Sequence, residues 1–205
     1  MRVAVQLMCT GGVAVAVALG AVTYAGGAGL WRLGHLDRQI ARLSTVVHAS
    51  QARPPASPHE SVTGTVDGSE ITITYGRPSM RGRTIFGRLV PWDRVWCPGA
   101  DAATTLNSAK PLRVGQLDVP PGPHTIWMLP TPTAWTLMIS REPSGFHTNY
   151  NPSADLGSVD LIKTAVSMPV EQLTFSIVKS PTGAGGSIAM TWETTEVSAP
   201  FTVVQ

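Results

Sequence analysis

The stretch VTGTVDGSEITITY (residues 62–75) decides the fold. Val62, Gly64 and Val66, then Ile71, Ile73 and Tyr75, occupy every second position, and period two is the rhythm of a strand that buries one face. Between them Asp67-Gly68 is the residue pair a tight hairpin turn favours. The rhythm returns downstream in Trp135, Leu137 and Ile139, in Leu173, Phe175 and Ile177, in Ile188, Met190 and Trp192, and in Val197, Ala199, Phe201 and Val203. Gly183–Gly186 reads as another turn, between Phe175 and Trp192. Prolines at 120, 121, 123, 130, 132, 143, 152, 169, 181 and 200 punctuate the remainder and leave no room for a long helix after Pro54. Eight to ten short strands predict an all-β domain over residues 59–205, an antiparallel β-sandwich of jelly-roll-like type.

Upstream the composition changes. All 17 prolines lie at or after Pro54. The first 52 residues hold four arginines against Asp37, a charge of +3, whereas the remainder sets eleven cations against twelve acids, −1. The basic balance therefore belongs to the N-terminal segment, and nucleic acid is not the expected partner of the domain. Between Arg2 and Arg32 run 29 uncharged residues, and a bilayer-spanning helix needs about 20. Leu30, Trp31 and Arg32 close that run with an indole and a cation suited to the headgroup boundary. Residues 1–31 thus read as a membrane anchor or a signal segment. The length favours an uncleaved anchor through residues 3–31; a charged start at Arg2, an apolar stretch Val13–Val22 and small residues from Ala25 to Gly29 are what a cleaved signal would need.

Leu33, Leu36, Ile40, Leu43 and Val47 alternate three and four apart, which predicts a short amphipathic helix over residues 32–48. Residues 49–58 form a Pro-rich linker. Two seams for a homodimer follow: the small-residue stripe Gly12, Ala16, Gly20, and the apolar stripe Leu33 to Val47. Charge counting across the span, with Arg32, Arg38 and Arg42 against Arg2, would hold the domain in the cytoplasm. Cys9 and Cys97 sit in segments expected in different solvents, so no disulfide framework is expected.

The stretch from Arg77 to Arg94 carries five arginines (77, 81, 83, 88, 94) against Asp93, a charge of +4, while the rest of the domain carries −5. Guanidinium forks grip carboxylate or phosphate at two points. Two readings follow: the arginines line an anion-binding cleft, or they pair with the surplus acids and staple a long loop over a sheet. Trp96, Gly99, Ala100, Asp101, Thr104 and Thr105 come next, an aromatic plane, a turn and a carboxylate within ten residues. Trp127, Trp135 and Trp192 are in period with core positions, which leaves Trp92 and Trp96 as the exposed indoles. No GxSxG, Walker A, HExxH or CxxC pattern occurs. His59, His124 and His147 would make a metal site only by converging with Asp101 or Asp155 in the fold, and neither a metal nor another cofactor is expected.

YGRPSMRGRTIFGRLVP (residues 75–91) and GADAATTL (99–106), with LDVPPGPHTIWMLPTPTAWTLMIS (117–140), PVEQLTFSIVK (169–179) and TEVSAPFTV (195–203), resemble the exported bacterial family known as domain of unknown function 2911. The resemblance runs from about Ser57 to Val203. It implies a secreted or envelope-anchored all-β domain without an established activity, and it places the family's polar signature on His59, Arg77, Arg81, Arg83, Trp96, Asp101 and Thr104. The chain departs from the family in carrying Cys97 and Pro98 where a polar pair is expected, and in its long apolar N-terminal segment. It also points the domain outward, to the periplasmic side of a membrane, or into the medium if the segment is cleaved.

These readings converge on a noncatalytic envelope protein whose Arg77–Thr104 region binds a small polar or anionic ligand, or an envelope protein. Arg77, Arg81 and Arg83 would supply donors, Trp96 a stacking face, and Asp101 an acceptor. The rival reading is a hydrolase-like enzyme with His59 and Asp101 as acid and base, which would require both side chains within reach of one substrate.

Overall fold

The computed structural model describes residues 57–205. The expected anchor, the amphipathic helix, most of the linker, Cys9 and both dimer seams lie outside the described residues. Within them, no helix is long and apolar enough to cross a membrane.

The domain is all-β and antiparallel. Its strands are β1 (His59–Val66), β2 (Ser69–Gly76), β3 (Thr105–Ser108), β4 (Leu112–Val114), β5 (Leu117–Val119), β6 (Gly122–Pro130), β7 (Trp135–Ser140), β8 (Asp155–Lys179) and β9 (Gly186–Val203). They hydrogen-bond into one nine-stranded sheet in the order β1-β2-β3-β6-β7-β8-β9-β4-β5. The helical content of the described residues is one short 3-10 turn, Pro152–Ala154.

The first hairpin forms as its sequence dictates. Asp67 (φ 48°) and Gly68 (φ 73°) both take positive φ, and Val66 opposes Ser69 across the turn. Val66, Ile71, Ile73 and Tyr75 are buried, while the opposite face carries hydroxyl pairs, Ser61–Thr74 at 2.8 Å and Thr63–Thr72 at 2.9 Å. Such cross-strand pairs stabilise a sheet by about 0.2–1 kcal/mol each.

The sheet then folds over itself. Four strands separate β1 from β8 in the hydrogen-bonded order, yet a Cβ added to Gly64 would lie 2.9 Å from Ile177 Cγ2. Tyr75 meets Phe175 edge-on at 4.9 Å, and its hydroxyl accepts a bond from the Phe175 amide at 3.2 Å. Beyond β2 a seam joins the chain to β8: Met80 N donates to Glu171 O at 2.8 Å and Leu173 N to Pro78 O at 3.0 Å. The apolar faces of β2, β6, β7, β8 and β9 enclose one main core, with Trp135 and Trp192 among its largest fully buried side chains.

Two strands are longer than the period-two reading suggests: β8 has 25 residues and β9 has 18. Pro169 falls inside β8 because the register shifts between Ala165 and Val170, and a bulge spares proline the ladder bond it cannot donate. Pro200 falls inside β9, where its carbonyl accepts from Gly115 N at 2.9 Å. At the hairpin tips, Asp67 accepts from Gly185 N at 2.5 Å and faces Lys179 Nζ at 3.5 Å. The backbone bond, helped by that ammonium, holds the Asp67 carboxyl below its usual range.

Candidate functional site

Met80-Arg81-Gly82-Arg83 closes a tight turn: Arg83 N donates to Met80 O at 3.0 Å. Arg81 (φ 51°) and Gly82 (φ 71°) both sit at positive φ, the mark of a primed turn. For Arg81 that backbone costs roughly 1–2 kcal/mol, and its amide is anchored on Glu171 Oε1 at 2.8 Å. A turn of this shape places two arginines either side of one glycine. Both line a cleft of about 400 Å³ together with Ser79, Trp96, His147 and Trp192. That volume lies within the range of small-molecule sites, about 300–1,000 Å³.

The floor is aromatic. Trp96 stacks on Trp192 with centroids 6.2 Å apart and planes at 19°, and Phe86 meets Trp135 edge-on at 4.8 Å behind them. Trp96 is fixed by two 2.8 Å backbone bonds with Met128. Trp192 Nε1 donates to Glu171 O at 3.2 Å. The Glu193 carboxylate accepts from the amides of Ile85 (3.2 Å) and Phe86 (3.4 Å), so a side chain from β9 holds down the loop that carries the arginines.

The wall is the turn Cys97–Asp101. Gly99 N donates to Cys97 O at 2.8 Å, and the buried Thr104 donates through its hydroxyl to Pro98 O at 2.8 Å and through its amide to Cys97 Sγ at 3.2 Å. Gly76 is required beneath it, since a Cβ there would lie 2.1 Å from Ala100 O. Burial pushes the Cys97 thiol up, and its bonds with Thr104 offset this only in part. Across the wall, the Asp101 carbonyl accepts from His147 N at 3.2 Å and from His147 Nδ1 at 2.6 Å. A carbonyl can only accept, so Nδ1 carries the hydrogen.

Of the residues singled out in the sequence, Arg81, Arg83 and Trp96 meet in the cleft. Arg77 does not line it; its guanidinium staples strands together, with Nη1 at 3.0 Å from both oxygens of Glu60, Nε on Leu173 O at 3.2 Å and Nη2 on Thr174 Oγ1 at 3.1 Å. Thr104 is fully buried and braces the wall. Asp101 is exposed, and what it gives His147 is its carbonyl. His59 is exposed at the start of β1, opposite Gly76 in register. Because Gly76 packs on Ala100, His59 and Asp101 share the cleft end of the domain, yet neither lines the cleft.

The three histidines do not converge. His124 is buried with Nδ1 3.1 Å from Ser140 O and Nε2 3.0 Å from Pro120 O, and His147 belongs to the wall. Among the described residues no group of three or more His, Cys, Asp or Glu could hold a metal ion. His147 as a cleft residue was missed by sequence reasoning, because the segment from Arg141 to Asn151 has no periodicity to place it. The period of Trp192 places it in the core, and it is buried there, yet it also lines the cleft.

No curated protein and no solved structure matches the chain. A family model described as "Protein of unknown function (DUF2911)" matches residues 57–201. With that match spanning more than half of its length, from the end of the linker to Phe201 in β9, the chain belongs to the DUF2911 family.

Proposed function

We propose that the protein is a noncatalytic binding module tethered at the cell envelope, a jelly-roll-like sandwich whose cleft takes a small polar or anionic ligand. One observation carries this reading: the turn at Met80–Arg83 and the stacked pair Trp96–Trp192 bring guanidinium groups and an aromatic floor to a single concave surface. Cation and indole together suit a ligand with one charged group and one flat or ring-shaped face. Tethering is supported by the 29 uncharged residues that follow Arg2. The hydrolase reading, with His59 and Asp101 as acid and base, is the weaker one, because both side chains stand outside the cleft lining.

The test uses the full chain in detergent micelles, with thermal shift and tryptophan fluorescence read against a panel of inorganic anions, neutral sugars, sugar acids and sugar phosphates. The expected result is that at least one panel member raises the melting temperature, and that Trp96→Ala abolishes the response. A panel that leaves both signals unmoved sinks the binding reading. Protease accessibility of the domain in intact cells tests the tether: the domain is expected outside the cytoplasmic membrane and sedimenting with it.

A further inference from the structure

Resting on the binding reading above, we infer that the cleft ligand is a sugar ring bearing a carboxylate, a uronate-type residue, with the carboxylate on the outer fork of Arg83 and the ring over Trp96. The argument starts from how Arg83 is held. Its Nε donates to Met80 O at 2.9 Å and its Nη2 to Ser79 O at 2.7 Å. Those bonds occupy one edge of the guanidinium. A guanidinium has five N–H groups, so the end formed by Nη1 and Nη2 keeps its donors. Both acceptors are neutral carbonyls, and among the described residues no carboxylate pairs with Arg83. The group is therefore aimed without being neutralised, and a side chain already ordered loses less freedom on binding.

The shape of the remaining donor set selects the anion. A tetrahedral phosphate is best wrapped by several converging amides. Three amides of the turn and wall are already taken: Arg81 N by Glu171 Oε1, Arg83 N by Met80 O and Gly99 N by Cys97 O. The outer fork of Arg83 is planar, and it matches a planar carboxylate at two points. The Glu171 carboxylate behind the turn adds a negative charge close by, and it penalises a dianion more than a monoanion.

The other half of the ligand follows from the floor and rim. Trp96 is half-buried and stacked on Trp192, so it can offer an indole face to the C–H face of a ring. Ser79 and His147 line the same cleft and supply polar groups that a purely apolar ring would leave without partners. A pyranose satisfies both, with hydroxyls at its edge and apolar hydrogens on its face.

The experiment titrates the full chain in detergent micelles with D-glucuronate and D-galacturonate, as monomers and trimers, against glucose, galactose and glucose 6-phosphate, followed by tryptophan fluorescence and calorimetry. At least one uronate is expected to bind about tenfold or more tighter than its neutral sugar, the scale of one charge-assisted bidentate contact. Methyl esterification of the uronate, measured on the unaltered protein, is expected to remove that advantage. Arg83→Gln and Arg83→Lys are expected to bring the uronate down to the level of the neutral sugar, since lysine restores charge but not the fork. Neutral sugars bound as tightly as uronates, a sugar phosphate bound more tightly, or an ester bound equally well would overturn the carboxylate and leave the cleft as a binding site. Silence from every uronate also overturns it, and the wider panel with Trp96→Ala then decides separately whether the cleft binds anything.

Discussion

Replacing Gly76 by alanine should damage the domain through one contact. The added Cβ would lie 2.1 Å from Ala100 O, 2.9 Å from its carbonyl carbon and 3.0 Å from its nitrogen, all main chain. To restore an ordinary separation of 3.4 Å the carbonyl must retreat by 1.3 Å, the difference from 2.1 Å. It cannot do so alone, because the turn is held by the Gly99–Cys97, Thr104–Pro98 and His147–Asp101 bonds. Overpacking of this kind costs about 1–3 kcal/mol, and losing one of those bonds adds about 0.5–1.5 kcal/mol. A loss of roughly 1.5–4.5 kcal/mol lowers the melting temperature of a domain of this size by roughly 3–18 °C. Gly82→Ala is the matched comparison: no atom lies within 4 Å of its added Cβ, but φ is +71°, so only backbone strain of roughly 1–2 kcal/mol applies. Circular dichroism melts of the full chain check both. If Gly76→Ala melts with the wild type, or Gly82→Ala is the worse of the two, packing of the wall on β2 is not what makes glycine necessary there.

Three further outcomes are expected. The Tyr150 hydroxyl donates to Asp155 at 2.5 Å, and burial together with that carboxylate pushes the phenol up to about 12; the unfolded chain ionises first, so stability should fall as pH rises from about 10 toward 12. Tyr150→Phe should flatten that part of the denaturation-versus-pH curve, and an unchanged slope would contradict the assignment. Glu193→Ala removes the acceptor of the Ile85 and Phe86 amides and should cost about 1–3 kcal/mol, with a shift in tryptophan emission as the Phe86–Trp135 contact loosens; calorimetry and fluorescence read both. In a Cys9→Ser background the buried Cys97 should resist a disulfide-exchange reagent at pH 8 until denaturant is added, and prompt labelling of the folded protein would disprove its burial.

The strands were legible because burial on a pleated ribbon writes itself as alternation. Ile71, Ile73 and Tyr75, or Ile188, Met190 and Trp192, needed no further information. The bulge at Ala165–Val170 was not legible, since Pro169 looks like a terminator until a partner strand is seen to slip past it. In the site, the chemical type was readable and the geometry was not. Arg77 and Arg83 are the same residue six positions apart, yet one meets Glu60 and a neighbouring strand while the other rests on carbonyls of its own turn. Which arginine staples and which is presented depends on the folded-over β8, and no local pattern encodes that. His147 and Trp192 enter the cleft from opposite sides of a chain reversal, a distance that periodicity cannot span.

The cleft draws its lining from residues 57 to 100, from His147 and from Trp192. Those three stretches are brought together by non-local pairings, the kind that form slowly and raise contact order. During synthesis from the N-terminus, the arginine turn and the Trp96 indole emerge long before their companion on β9, so a nascent or truncated chain has donors but no receptacle. Occupancy of the cleft would therefore serve as a sensor of finished folding, and any compound that fits it should act as a pharmacological chaperone for the folded domain alone.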